Sequence, residues 1–446
     1  MENKGVFSKS NWFVLLLFGM LGQVAWSVEN MYFNLFVFKT ISADLGAITL
    51  MVQLSGITAT VVTLIAGTLS DKLGNRRRFI SIGYIIWGIT VALFGLISAD
   101  LVSALFNTGA VRSVAIALTL AIVGDCVMTL FGSCANDAAF NAWVTDNTDE
   151  KNRGKIEGVL SILPLIAMLI VAGGFGILTS FIDYKTLFIV LGALISVCGI
   201  IGIFKIKDSP LLVARGSMKD IFYGFSPKVV KENKPFYASL LIILIYGIAS
   251  QIFMPYMIIY MTDYLHFNEI EYSIVFGLAI ALGAAINVFL TRLSDKLNKI
   301  KLIYIAASVM AMGLLLMYIA RAENHIVTLA LFGIAGFIMI SGYIFVSALV
   351  GSTLRDYTPE GAVGKLQGVR MVASVLIPMI VGPFIGNSIN KMRNIPIQDA
   401  SSPDAMTTLY VPAPEIFLVA GICTLLVLAV TPILSSSIRK IKDKTE

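Results

Sequence analysis

The chain has 446 residues, of which 57% are hydrophobic and only 13% carry charge, with a formal net charge of +6. Soluble proteins carry roughly 25% charged residues, and a mean hydropathy of +0.86 is more apolar surface than a soluble fold of this size can hide. Soluble enzyme, nucleic-acid binder and disordered scaffold are therefore excluded, and the positive charge has to be read by position rather than by sum.

A helix needs about 20 apolar residues to cross a bilayer. Twelve such runs are predicted, over 12–37, 46–69, 79–99, 113–140, 157–181, 185–204, 236–262, 271–293, 300–320, 326–350, 366–388 and 413–434. They are long and continuous, whereas β-barrel spans alternate over about ten residues. Lys4 and Lys9 precede the first run as they would in a signal peptide. That run is too long for a signal core and contains Glu29 and Asn30, so an uncleaved first helix is expected.

With the N-terminus placed in the cytoplasm, only Lys39, Arg112, Lys185, Arg321, Lys391 and Arg393 of the 33 basic residues fall on the far side. This asymmetry predicts a multi-pass protein of the cytoplasmic membrane with both termini inside. The most hydrophilic stretch, 205–235, is rich in lysine and divides the spans six and six. The expected organisation is an N-terminal six-helix bundle (1–204), a cytoplasmic linker (205–235) and a C-terminal six-helix bundle (236–446).

The halves repeat. Leu69-Ser70-Asp71-Lys72-Leu73 follows the second run, and Leu293-Ser294-Asp295-Lys296-Leu297 follows the eighth. Asp146, Thr148, Glu150, Gly154, Lys155 and Gly158 follow the fourth run. Asp356, Thr358, Glu360, Gly364, Lys365 and Gly368 follow the tenth at identical spacing. Parallel six-helix repeats with the substrate path between them are a transporter layout.

Gly67-Thr68-Leu69-Ser70-Asp71-Lys72-Leu73-Gly74-Asn75-Arg76-Arg77 resembles the signature loop of the major facilitator superfamily, departing at Asn75, where a basic residue is usual. A degenerate second copy lies at 291–301. The resemblance implies an all-α membrane protein with twelve transmembrane helices in two pseudo-symmetric six-helix bundles that rock by alternating access. It also implies a cytoplasmic gate from Gly67, Asp71, Gly74, Arg77, Asp146 and Arg153, with Asp295 and Asp356 in the second half. Gly67 is expected to let two helices approach closely.

Asn136-Asp137-Ala138-Ala139-Phe140-Asn141-Ala142-Trp143 is similar to the helix-four region of glycoside and sugar cation symporters, and Gly22-Gln23-Val24-Ala25-Trp26 resembles the first helix of sucrose-type transporters. Sodium-coupled members of that branch carry paired Asp residues on helix two. Here helix two has no acid before Asp71, which leaves a proton, another monovalent cation, or no coupling.

A charge inside the bilayer is costly, so an intramembrane acid is a functional candidate. Glu29, Asp125 and Asp137 are such acids and are expected to carry proton or cation coupling. Polar stripes at helical spacing must face protein or water. Gln23, Ser27, Asn30 and Asn34 share a face of helix one, with Glu29 about 100° away. Asp125, Thr129, Gly132 and Asn136 share one on helix four, beside Ser133, Asp137 and Asn141. Gln53, Gly56, Thr60, Thr63 and Gly67 align on helix two, and Tyr246, Ser250, Phe253, Met257 and Tyr260 on helix seven. Such stripes serve either as interhelical glue or as cavity lining. Gln23, Asn30, Gln53, Asn136, Asn141, Tyr246, Gln251 and Asn287 are the expected substrate-binding set. Pro164 and Pro378 are expected to kink helices five and eleven.

No phosphate-binding loop is present, so the chain shows no ATPase of its own. The only histidines, His266 and His325, fall in predicted outer loops, and no His/Cys cluster suggests a metal. Neither an enzyme nor a cofactor is expected. Cys126, Cys134, Cys198 and Cys423 sit in spans and read as small buried hydrophobes. The expected function is a monomeric secondary transporter in the lipid bilayer for a small-molecule substrate, a sugar or glycoside. The competing readings are a carrier of a drug, peptide or lysolipid, and a non-transporting receptor.

Overall fold

The computed structural model describes residues 7–148, 152–208, 218–294, 297–359, 363–396 and 409–445. Among them twelve helices are long and apolar enough to cross a membrane. In chain order they are α1 (Lys9–Thr40), α2 (Leu45–Ser70), α3 (Arg76–Phe94), α4 (Ala110–Asp146), α5 (Gly158–Thr179) and α6 (Tyr184–Lys205). The second six are α7 (Lys234–Tyr264), α8 (Glu269–Leu290), α9 (Lys299–Ile319), α10 (His325–Asp356), α11 (Leu366–Arg393) and α12 (Glu415–Lys440). Every predicted run lies on one of them. The third ends at Phe94, and the chain then turns into a separate short helix, Ala99–Phe106, started by the Ser98 hydroxyl on the Leu101 N–H. A two-residue antiparallel pairing, Ile395–Pro396 with Tyr410–Val411, joins α11 to α12.

The chain forms two compact units. Unit 1 comprises Met1–Ala43 and Leu54–Met218. Unit 2 comprises Asp44–Gln53, Lys219–Ala400 and Thr407–Glu446. The first turns of α2 are thus built into unit 2. There Thr49 meets the Tyr256 hydroxyl at 2.7 Å, Tyr256 donates to the Pro383 carbonyl at 3.0 Å, and Gln53 donates to the Ile380 carbonyl at 2.9 Å.

Helix pairing repeats between the units. In unit 1, α3 packs on α6 and α4, and α1 packs on α5 and α6. In unit 2, α9 packs on α12 and α10, and α7 packs on α11 and α12. Rings fill the centre of each. Phe33 stacks on Phe94 at 4.2 Å, with Phe188 across their edge, in unit 1. Phe253, Tyr260 and Phe332 surround Phe417 in unit 2. Leu93, Val190 and Leu194 point outward, on the surface that lipid covers.

Several helices are wound irregularly. π-helical turns occupy Glu29–Phe33 of α1, Ser133–Phe140 of α4, Val171–Phe175 of α5, Tyr260–Tyr264 of α7 and Val372–Leu376 of α11. A π turn adds a residue and rotates the downstream face. Pro164 lies upstream of the α5 turn, and Pro378 follows the α11 turn directly. In α7 a short 3₁₀ stretch, Met254–Tyr256, contains Pro255. It breaks the helix-seven stripe, whose Tyr246, Phe253 and Tyr260 pack on Tyr343 and Phe417 inside unit 2.

Close crossings rest on glycine. A Cβ on Gly88 would overlap the Gly192 carbonyl where α3 meets α6, and one on Gly386 would overlap the Ile252 carbonyl where α11 meets α7. Gly382 likewise packs against Gln251, so Gly382 and Gly386 of α11 both serve contact with α7. At Gly67 the expectation of close approach fails, because a Cβ there meets nothing within 4 Å. Gly74 is different, with φ of 60°, as its turn requires. Gly88→Val is expected to cost at least about 1–3 kcal/mol of stability by overpacking, while Gly67→Ala is tolerated. Thermal unfolding of the detergent-purified protein checks the contrast, and equal midpoints would refute it.

Candidate functional site

The carboxyl of Glu29 is buried at the first residue of the α1 π turn, only 7% exposed. Its Oε1 accepts from Ser55 of α2 at 3.2 Å and from Thr129 of α4 at 3.0 Å. The two hydroxyls are 2.8 Å apart. Asp125, one helical turn before Thr129 and 2% exposed, stands beside Glu29 and shares Ser55 with it. Glu29 Oε2 and Asp125 Oδ1 are buried without a hydrogen-bond partner. No lysine, arginine or histidine among the described residues bonds either acid. The whole cluster lies in unit 1.

Asp137 occupies a neighbouring position inside the α4 π turn. It is half-buried and accepts from Ser133 at 3.1 Å and from Asn136 at 3.4 Å. The three expected coupling acids thus all fall in unit 1, two as a pair and the third with its own donors.

At the end of each unit that carries the repeated loop sits an ion pair. In unit 1 Arg76 reaches Asp146 at 3.0 Å and also bonds Ser70. In unit 2 Lys299 reaches Asp356 at 2.7 Å and Ser352 at 3.0 Å. Arg76, absent from the expected gate set, is thus the residue that bonds Asp146. The Arg77 guanidinium bonds the Ile203 carbonyl at the end of α6, and its N–H donates to Asp208. Asp295 and the side chains of Asp71 and Arg153 lie outside the described residues. Nearby, Trp143 donates to the Lys207 carbonyl at 2.8 Å and meets the edge of Phe7.

The sequence profile of the Major Facilitator Superfamily matches residues 12–383. The chain belongs to this superfamily. Solved structures agree in fold. The nucleoside transporter NupG superposes with a TM-score of 0.64 at 14% identity, covering 94% of this chain and 98% of that one. A bacterial homologue of the human lysosomal transporter Spinster, in an inward-facing and occupied conformation, superposes with a TM-score of 0.68 at 13% identity, covering 96% and 97%. No curated protein sequence matches the chain.

Within this facilitator fold the expected substrate residues separate into two groups. Asn136, Asn287, Tyr246 and Gln53 are engaged in helix contacts. Asn136 accepts from Tyr84 at 3.0 Å and fills the space left by Gly22. Asn287 donates to the Gly283 and Ser341 carbonyls. Gln251 is half-buried and packs under Gly382. Gln23 is half-buried, whereas Asn30 and Asn141 are exposed, each with its amide donating one turn back, to the Trp26 and Asp137 carbonyls. Of the helix-one stripe, Asn34 turns inward to 2% exposure because the π turn rotates it away. The proximity of Ser55 to Glu29 is not in the sequence pattern, since Ser55 lies off the aligned residues of helix two.

The two ion pairs differ in exposure. The Arg76 and Asp146 side chains are 5% and 24% exposed, against 37% and 52% for Lys299 and Asp356. Arg76→Ala is expected to destabilise by ~3 kcal/mol, since it strands a largely buried acid. Lys299→Ala should cost under ~1 kcal/mol. Thermal midpoints of the two variants in one detergent would show the order, and the reverse order would refute it.

Proposed function

We propose that the chain is a secondary active transporter of a small polar solute, of the sugar or glycoside class, working by alternating access and coupled to a proton or another monovalent cation. The buried Glu29–Asp125 pair carries this reading. Two carboxyls placed in an apolar bundle without a basic partner are expensive to keep unless an ion comes and goes there. Glu29, Asp125 and Asp137 would hold that ion. Gln23, Asn30 and Asn141, all in unit 1, offer amides suited to hydroxyl-rich ligands, and Trp26, against Trp87 at 5.1 Å, offers an aromatic face. The basic loops support a cytoplasmic-membrane location with both termini inside, and the protein needs neither a cofactor nor a partner subunit in this reading.

A nucleoside is the second substrate reading. Its sugar presents the same hydroxyls, and the fold is shared with the nucleoside transporter NupG. The test is uptake by proteoliposomes across labelled sugars, glycosides and nucleosides, under imposed proton and sodium gradients. A solute carried with one proton accumulates about tenfold at equilibrium under one pH unit, because 1.4 kcal/mol is a factor of ten. Glu29→Gln and Asp137→Asn should each abolish gradient-driven accumulation. Equal accumulation with and without every gradient would remove the coupling, and no uptake of any panel member would remove the substrate class.

A further inference from the structure

The cluster around Glu29 has more oxygen contacts than protons to fill them. Ser55 Oγ, Thr129 Oγ1 and Glu29 Oε1 form a triangle with edges of 2.8, 3.0 and 3.2 Å. All three are hydrogen-bond distances. Each hydroxyl owns one proton, so an ionised Glu29 leaves one edge as two oxygens facing each other with nothing between. A third proton, on Glu29 Oε1, completes the ring: Glu29 donates to Ser55, Ser55 to Thr129, and Thr129 to Glu29. The same proton leaves Glu29 Oε2 as a neutral carbonyl oxygen, which is far cheaper to bury without a partner than half of a carboxylate.

Among the described residues the surroundings offer no other neutralising group. The titratable groups that face Glu29 are Asp125, Asp137 and Cys126, all on α4. α2 supplies the Ser55 hydroxyl, and α5 brings Phe175 against Tyr32 one turn along α1. A metal ion is poorly served. The three oxygens close on one another at hydrogen-bond distances and leave no gap for an ion among them, and the divalent cations calcium and magnesium ask for six or more oxygens. Among the described residues no group of three His, Cys, Asp or Glu side chains is placed to hold a metal ion. Asp125 Oδ1, unpartnered and in a residue 98% buried, is the remaining acceptor in the cluster.

We propose that the Glu29–Ser55–Thr129–Asp125 cluster is a binding site for one exchangeable proton and not for a metal cation, with Ser55 as the relay between the two acids. In the transfer step the Glu29 O–H bond breaks as Ser55 Oγ takes that proton. The Ser55 hydroxyl first turns from Thr129 to Asp125, which also shares it, and its original O–H bond breaks as Asp125 takes the proton it carried. The serine is unchanged, and one proton has moved from α1 to α4. Ser55 is a positioning residue, and Asp137, held by its own donors Ser133 and Asn136, is a separate stop for the coupling ion that this exchange does not use. The assignment deepens the coupling part of the proposed function by naming the ion.

The test needs no transported solute, so it separates this assignment from the transport reading. Full-length protein is reconstituted in liposomes, and infrared difference spectra are recorded across pH. One protonated-carboxyl band per chain is expected, shifting in deuterium oxide, displaced in Glu29→Gln, where Asp125 alone can hold the proton, absent from the Glu29→Gln/Asp125→Asn double variant and retained unchanged in Asp137→Asn. Ser55→Ala should keep the band at a displaced frequency, because the proton loses its acceptor. That variant decides the matter if Glu29→Gln does not fold. Saturating sodium, lithium or potassium at constant pH should leave the band unchanged. Absence of the band at every pH, an unshifted band in Ser55→Ala, or proton release on adding a metal cation would each overturn the proposal. Failure of every solute in the uptake panel would remove the transport reading while leaving this result standing.

Discussion

In hydrocarbon there is no water to satisfy a polar group, so every one placed at depth must find its partner inside the bundle. Most do so locally. Thr49, Thr60, Ser239, Ser250, Thr353, Thr424 and Thr431 each return their hydroxyl to a carbonyl four residues back. Asn34 does the same with its amide. These groups are silenced by their own helix and cost little. Amides and phenols that cannot close on their own turn are used between helices, as Tyr84 is on Phe18 and Asn136, and Tyr256 is on Thr49 and Pro383. What remains after this accounting is a short set of groups the bundle does not finish. The Glu29–Asp125 pair stands out in it because both members are acids.

The same constraint explains what could be read from the chain alone. A spanning helix must be continuously apolar for about 20 residues, so all twelve appear as runs. Their ends are marked by charge, which is why α1, α3, α7 and α9 begin at basic residues. Depth marked Glu29, Asp125 and Asp137 as candidates for coupling, with the helix-four resemblance also behind Asp137. Periodicity joined Asp125 to Thr129 on one face, and the structure places both beside Glu29.

Periodicity failed where the winding changed. A face computed at 3.6 residues per turn drifts once a π turn inserts a residue. Asn34 was therefore expected beside Gln23 and is instead buried, and the helix-seven stripe is interrupted by a 3₁₀ turn. Nothing in Glu29-Asn30-Met31-Tyr32-Phe33 announces a π turn. The sequence likewise could not separate Asn136, locked to Tyr84, from Asn141, exposed five residues later. That distinction belongs to the packing partner rather than to the residue. Arg76 and Arg77 pose the same problem in miniature. Adjacent residues on a helix point about 100° apart, and only the position of Asp146 selects between them.

The two six-helix repeats are alike in their packing and unlike in their interiors. Helix pairing recurs, and so does the cation–acid pair after helices four and ten, with the cation displaced by one register from Arg76 to Lys299. These are features a bundle needs in order to fold and close its loops. The interior diverges. Unit 1 holds Glu29, Asp125 and Asp137, whereas Asn287 and Tyr256, deep in unit 2, are neutral and bond carbonyls of neighbouring helices. A structural requirement would act on both copies alike, because both face the same lipid. Acids retained in one copy alone, at an electrostatic cost the other avoids, are therefore best explained by chemistry rather than by stability. The departure from the repeat thus points to the site, just as the repeat itself points to the fold.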